Sequence, residues 1–322
     1  MQSPRYFTRA VLAIAMLVAL VSVIGTVRAT AAKKPDRPGA KAVKAALTAQ
    51  NPEDYVGQEI CLGCHDGKDV KGTGHGLTTN ANAPAAQHGC ESCHGPGKAH
   101  VDGEGDRTKI VRPQALEATD ASETCTTCHN RAAHALWDGS QHDQRNVGCL
   151  TCHSVHSSKG PSQLKAVSEQ ELCATCHRNV VNKTKRTSHM PVREGKMGCA
   201  SCHNVHGSTN VRMLKVGTTV NESCVSCHAD KRGPTLWEHA PVADNCVNCH
   251  DPHGSNNERM LSARQPFICQ RCHVTANHPP TVYTSYTLKN STSANKIFGR
   301  SCVSCHQLVH GSNAPSGKAF LR

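Results

Sequence analysis

Ten times in this chain of 322 residues, two cysteines separated by two residues are followed at once by a histidine. The first half holds Cys61/Cys64/His65, Cys90/Cys93/His94, Cys125/Cys128/His129, Cys149/Cys152/His153 and Cys173/Cys176/His177. The second half holds Cys199/Cys202/His203, Cys224/Cys227/His228, Cys246/Cys249/His250, Cys269/Cys272/His273 and Cys302/Cys305/His306, and no cysteine is left over. Two thiols at this spacing can form thioethers to the two vinyl groups of one haem, while the next imidazole reaches the iron from the same side. A disulfide scaffold would suit an exported chain, and serial four-cysteine zinc sites also use this cysteine spacing. Neither needs a histidine after the second cysteine in every copy. The sequence therefore predicts ten covalently bound haem c groups, with twenty thioether cysteines and ten proximal histidines.

Of the 22 histidines, twelve remain. Read in pairs, the motifs form a repeat: a first haem site, a histidine in the intervening loop, a second haem site and a histidine soon after it. Its clearest copies are "CTTCHNRAAHALWDGSQHDQRNVGCLTCHSVHSS" and "CVSCHADKRGPTLWEHAPVADNCVNCHDPHGS". The candidate distal ligands are the loop-borne His75, His142, His189, His239 and His278, and the post-motif His100, His156, His206, His253 and His310. His88 and His134 are spare. On one short turn, His250 and His253 cannot easily clamp one iron from opposite faces, so each is expected to serve a different haem of a neighbouring pair. Which distal histidine serves which haem is open at this stage. Methionine, the other common axial partner, raises the reduction potential, but histidine is in surplus and coordination by two histidines at all ten sites is the simpler reading. Replacing His250 with Met should then raise the potential of its haem.

An iron with both axial positions filled has no place for a substrate, so it passes electrons without transforming a small molecule. The expectation is an electron carrier and not an enzyme. The competing class is a multihaem reductase in which one haem keeps an open position, and the uniformity of all ten motifs speaks against it.

The elements that position these groups have unusual composition. Aromatic residues make up 3% of the chain, too few for an ordinary core. Haem burial and the thioether links are expected to supply much of the stability. Residues 1–29 read as a secretory signal, with Arg5 and Arg9 before the apolar run Val11 to Ile24 and small residues at Val27 to Ala31. That run is about 14 residues, short of the ~20 a spanning helix needs. Residues 30–58 are an Ala/Lys/Pro-rich flexible segment. The decahaem domain spans 59–322 as five two-haem repeats, 59–100, 123–156, 171–206, 222–253 and 267–310. Little regular secondary structure is expected in this multihaem cytochrome c fold: short helices and Gly/Pro/Ser-rich loops wrapped around a row of ten haems. Trp137 and Trp237 occupy similar places in two repeats and suit packing against a porphyrin.

The formal charge is +12, and without Arg5, Arg9 and Arg28 there remain 33 basic against 24 acidic residues, or +9. Ten haems add about −20 from propionates, offset by about +1 per ferric centre. The basicity thus reads as counter-charge for cofactors, and nucleic acid is not an expected partner.

The pattern resembles the MtrA/DmsE/PioA-type decahaem cytochromes, from about Glu59 to Gly311. The pieces that carry the resemblance are "CESCHGPGKAH" at Cys90 to His100, "LWDGSQH" at Leu136 to His142, "CLTCHSVH" at Cys149 to His156 and "CQRCHVTANHP" at Cys269 to Pro279. It implies ten haems, each held by two histidines, in a cytochrome seated inside an outer-membrane β-barrel porin and carrying electrons between periplasm and cell exterior. By the same resemblance, a surface multihaem cytochrome is a further candidate partner, with periplasmic or inner-membrane cytochromes on the other side. The implied work is extracellular metal or sulfoxide reduction, or Fe(II) oxidation. Mean hydropathy is −0.47, and no alternating apolar strands mark a barrel of its own, so a crossing must run through another protein's lumen. A 26-stranded barrel would be large enough. The alternative is a soluble periplasmic electron shuttle. Direction of flow depends on potentials and partners, which the ligands do not set.

Overall fold

In the computed structural model, which describes residues 43, 45–47, 51–273 and 301–321, each repeat opens on a short helix that runs into its first motif. These helices are Gln58–Cys64, Ala118–Thr126, Glu169–Ala174, Val220–Val225 and Phe267–Gln270. Capping side chains set the starts of two of them. Ser168 accepts the Glu171 N–H at 3.2 Å. Thr219 accepts the Glu222 N–H at 3.2 Å while Glu222 reaches back to the Thr219 N–H at 3.1 Å, a reciprocal box that satisfies two otherwise orphaned donors.

Side chains on these same helices tie the two motifs of a repeat together. The Ser122 hydroxyl accepts the Cys149 N–H at 3.1 Å, Glu169 accepts the Ala200 N–H at 3.0 Å, and Asn221 accepts the Cys246 N–H at 2.7 Å. In the first repeat Glu91, 2% exposed, accepts the N–H groups of Val56, Gly57 and Gly97 at 3.0, 3.0 and 2.7 Å.

After the second motif the chain turns back on itself. His153 bridges to Leu164, His203 to Leu214 and His250 to Leu261. Each turn contains two successive residues in the left-handed region: Ser162 and Gln163 (φ 53° and 59°), Arg212 and Met213 (54° and 58°), and Arg259 and Met260 (56° and 56°). Such conformations cost about 1–2 kcal/mol per residue without glycine, so something must hold them. Among the described residues there is no β-strand, only isolated bridges.

Apolar burial is correspondingly slight. Trp137, Val181, Leu214 and Ile268 are buried, no large side chain among the described residues is fully buried, and Leu236 and Val167 remain 73% and 66% exposed. Val43, in the segment that sequence reads as a flexible tail, is buried beside Ile110, Val111 and Leu116. Among the described residues no helix is long and apolar enough to cross a membrane.

Candidate functional site

In all ten motifs the histidine N–H bonds to the carbonyl of the first cysteine, at 2.8–3.1 Å. That closes one helical turn, and residues at i, i+3 and i+4 then share a face. Both thiols and the imidazole of every motif therefore project together, the geometry that double thioether attachment and proximal ligation need.

The left-handed turns act on the ring. The Ser162, Arg212 and Arg259 carbonyls accept from Nδ1 of His153, His203 and His250 at 2.9, 2.9 and 2.8 Å. His94 meets the Val111 carbonyl at 2.8 Å and His306 the Ala319 carbonyl at 2.5 Å. A carbonyl can only accept, so each Nδ1 carries the proton and each Nε2 presents its lone pair, the tautomer a metal ligand requires. His100, His142 and His239 are set in the same way by the carbonyls of Asp106, Val205 and Val309, at 2.8, 2.9 and 2.9 Å.

The chain itself leaves many of the attachment residues exposed. Among the proximal candidates, His65, His129, His177, His228 and His273 of the first motifs are exposed, whereas His94, His153, His203, His250 and His306 of the second motifs are half-buried. The return turns make the difference, since their carbonyls lie against the second-motif rings. The thioether candidates divide similarly. Every first cysteine is half-buried, but Cys64, Cys128, Cys176, Cys202, Cys227, Cys272 and Cys305 are exposed. His177, His273 and Cys305 thus stand at the protein surface and not in a side-chain core. One helical turn with few apolar neighbours cannot cover its own side chains, so these residues fit a cofactor whose porphyrin is itself the cover.

Among the described residues, eight imidazole pairs face one another. Ring centres are 6.3 Å apart for His65/His100, 5.9 Å for His75/His129, 6.2 Å for His94/His156 and 6.3 Å for His142/His177. They are 6.1 Å apart for His153/His206, 6.2 Å for His203/His253, 6.1 Å for His239/His273 and 6.2 Å for His250/His310. A metal–imidazole bond is about 2 Å, so two rings sharing one ion from opposite sides stand roughly 6 Å apart, centre to centre. The residues present thus fit a haem iron between each pair. Six of the pairs are within 24° of parallel, while His75/His129 and His142/His177 stand at 75° and 61°.

The pairing has a register that the sequence leaves open. Loop-borne histidines reach forward to the first motif of the next repeat: His75 meets His129, His142 meets His177, and His239 meets His273. Post-motif histidines reach back to the second motif of the preceding repeat, as His156, His206, His253 and His310 do. His100 alone among the paired histidines faces its own repeat. The short segment from His250 to His253 therefore joins second motifs of adjacent repeats, not the two motifs of one.

The thiols also run in order. Within a repeat the first cysteines are neighbours, Cys61 with Cys90, Cys125 with Cys149, Cys173 with Cys199, Cys224 with Cys246 and Cys269 with Cys302, each close enough to influence the other's ionisation. Between repeats the second cysteines meet, Cys93 with Cys128, Cys152 with Cys176, Cys202 with Cys227 and Cys249 with Cys272, each close enough to feel the other's charge. Every motif thus neighbours the next, through first and second cysteines in strict alternation. Burial, with Cys90 and Glu91 nearby, pushes the Cys61 thiol up to about 11, and no cysteine is in a disulfide.

Partial desolvation drives several histidines toward the neutral form that coordinates. His94, His239, His253 and His310 all lie below the ordinary imidazole range, chiefly for this reason. His206 is lowered to about 4 by burial and by His134, His153, His142 and His129 around it.

His189 behaves differently: its Nε2 meets Glu194 at 3.1 Å and its Nδ1 donates to the Arg186 carbonyl at 2.5 Å, which raises its pKa. His278 lies outside the described residues. Of the two spare histidines, His88 stacks on Tyr55 at 3.9 Å. His134 instead sits within the site, 4.2 Å from His206 and 5.3 Å from His129, too close to either for an ion between them. Trp137 is 6.4 Å from His206, and Trp237 pairs its backbone with Ser312.

Sequence reading missed two positioning devices. The first is the leucine eleven residues after a second-motif histidine, visible as Leu164, Leu214 and Leu261. The second is the glycine after a post-motif histidine: Gly207, Gly254 and Gly311 have φ of 124°, 122° and 124°, and a Cβ there would strike Leu136, Lys183 and Thr235 of the preceding repeat. The recurring His-Gly-Ser was the available signal.

Comparison with known proteins finds the same attachment motifs in pairs, but each pair joins the second motif of one repeat to the first motif of the next. The family model described as "Doubled CXXCH motif" matches residues 142–182, 189–233 and 239–278, and the model "Cytochrome c554 and c-prime" matches 25–95. The chain is 39% identical over 275 residues to "Multiheme cytochrome MtrA" of Shewanella baltica (strain OS185), across 83% of this chain and 81% of that one. A solved structure, the "Undecaheme cytochrome from S-layer of Carboxydothermus ferrireducens", is 19% identical with a TM-score of 0.12, covering 73% of this chain and 32% of that one, too slight a likeness to bear on the fold.

Proposed function

Since this chain belongs to the MtrA family of multihaem cytochromes and is an electron-transfer protein with about ten covalently bound haems, we propose that it conducts electrons across the outer membrane. Each haem supplies a one-electron couple; the protein supplies attachment, axial ligands and spacing. The observation that carries the reading is the unbroken order of neighbouring thiols from Cys61/Cys90 to Cys269/Cys302, so that haems attached to them would follow one another along the chain.

In this reading the ten motif histidines are proximal ligands and the facing imidazoles are distal ones. Extending the same register, we take His189 as the distal ligand opposite His228, which requires it to exchange Glu194 for iron, and by elimination His278 as the ligand opposite His306. All ten irons are then held by two histidines, which favours carriage over catalysis.

The chain does this work in the periplasm, seated in the lumen of an outer-membrane β-barrel, with other multihaem cytochromes as donors and acceptors. The support is the family membership and a row of cofactors longer than a diffusing shuttle requires. The test is native detergent extraction of the outer membrane, haem staining, and identification of what migrates with this chain. Co-migration with a large β-barrel protein is the expected result; haem-stained protein found entirely free in the periplasmic fraction would replace the conduit with a shuttle.

A further inference from the structure

Asn204 and Asp251 hold the same place in successive repeats, directly after His203 and His250. Each folds its side chain over the next post-motif histidine: Asn204 Oδ1 accepts the His206 N–H at 3.3 Å, and Asp251 Oδ1 accepts the His253 N–H at 3.1 Å. Each also ties its repeat to an earlier one. Asn204 does so neutrally, its Nδ2 donating to the Ala133 carbonyl at 3.0 Å. Asp251 does so with charge, its Oδ2 accepting from Lys183 Nζ at 2.6 Å.

One repeat therefore has a neutral contact where the next has an ion pair. The pair is partly shielded, with the Lys183 and Asp251 side chains 38% and 20% exposed. Asp251 Oδ1 lies 3.9 Å from Nδ1 of His253, whose ring faces His203 at 6.2 Å. The Arg212 side chain is the other charge that reaches His253.

We propose that the Asp251–Lys183 pair sets the reduction potential of the haem held between His203 and His253. This rests on reading those two histidines as its ligands. Oxidation adds one positive charge at the iron. A carboxylate beside the axial ring favours the oxidised state and lowers the potential, and the lysine offsets that effect. Away from bulk water the two influences are less screened than on an open surface. The repeat with Asn204 lacks this adjustment, so two sites with the same ligands acquire different potentials.

The experiment is a potentiometric titration of the full-length holoprotein, followed by the electron paramagnetic resonance of its low-spin ferric haems. Asp251→Asn, which keeps the backbone bond that Asn204 makes, should move one component to higher potential. Lys183→Gln should move the same component lower, and the double variant should return it toward the wild-type value. Unchanged potentials in both single variants, or shifts of the same sign, would reduce the pair to a mechanical tie and overturn the proposal. His253→Ala separates the two levels. A new high-spin signal upholds the ligand reading whatever the charge variants do, whereas an unaltered low-spin set removes the ligand reading and the tuning with it.

Discussion

The imidazoles of His203 and His253 face each other at 6.2 Å and 15° from parallel, although they belong to different repeats. The same holds for His250 and His310, at 6.2 Å and 15°. The repeat 222–253 is thereby clasped from both sides, and its stability is a matter of neighbours more than of its own slight core.

Exchanging a clasping ligand should change potential without breaking the clasp. His310→Met is expected to raise the potential of the haem at His250 and leave the other nine in place, because thioether sulfur favours the reduced iron. Redox titration of the holoprotein checks this; an unchanged set of potentials would mean that His310 is not a ligand.

His134 and His206 give a contrast within one cluster. His206 faces His153 at 6.1 Å, whereas His134 lies 4.2 Å from His206 with no room for an ion. His206→Ala should therefore produce one high-spin haem, and His134→Ala none. Electron paramagnetic resonance of the two ferric variants decides it.

Register makes the array modular. Deleting residues 165–214 joins Leu164 to Lys215, restoring the Leu-Lys step that follows the first two bridges. His142 should then serve His228, and His253 should serve His153. The expected product is a folded cytochrome with eight low-spin haems, counted by mass spectrometry and visible absorption. A mixture with high-spin haem would show that the repeats are not equivalent at their ligands.

The glycines after the post-motif histidines should tolerate nothing larger. Gly207→Ala puts a methyl against the Leu136 carbonyl at a φ of 124°. A loss of about 1–3 kcal/mol is expected, seen as a lower thermal midpoint with haem content retained. Gly139→Ala, where a Cβ would meet nothing within 4 Å but φ is 76°, isolates the backbone contribution and should cost less.

Glu91 is the corresponding anchor of the first repeat. Its carboxyl accepts three backbone N–H groups at 2.7–3.0 Å while only 2% exposed. Glu91→Ala leaves those donors without their acceptor, at about 1–3 kcal/mol for each buried group. A marked fall in denaturant midpoint is the expected result, with Glu91→Gln intermediate.

The sequence alone determined the attachment chemistry, because a thiol pair and an imidazole within five residues need only one helical turn to share a face, and any such turn suffices. The scarcity of regular structure followed from the same local spacing, which also suggested the five repeats and the distal histidines proposed above. Partnership did not follow. His253 precedes no visible cue that it should meet His203, because that distance is fixed by how one repeat stacks on another. Burial did not follow either: His177 and His273 share a motif with His203 and His250, yet only the latter two lie under a return turn. Nor could spacing distinguish His134, wedged among ligand rings, from His88, stacked on Tyr55. Those choices depend on close approach between repeats, through glycines whose missing side chains admit a neighbour's backbone and turns whose carbonyls aim each ring. Only the tertiary structure brings such groups together, since the contacts that decide them lie between segments far apart in the chain.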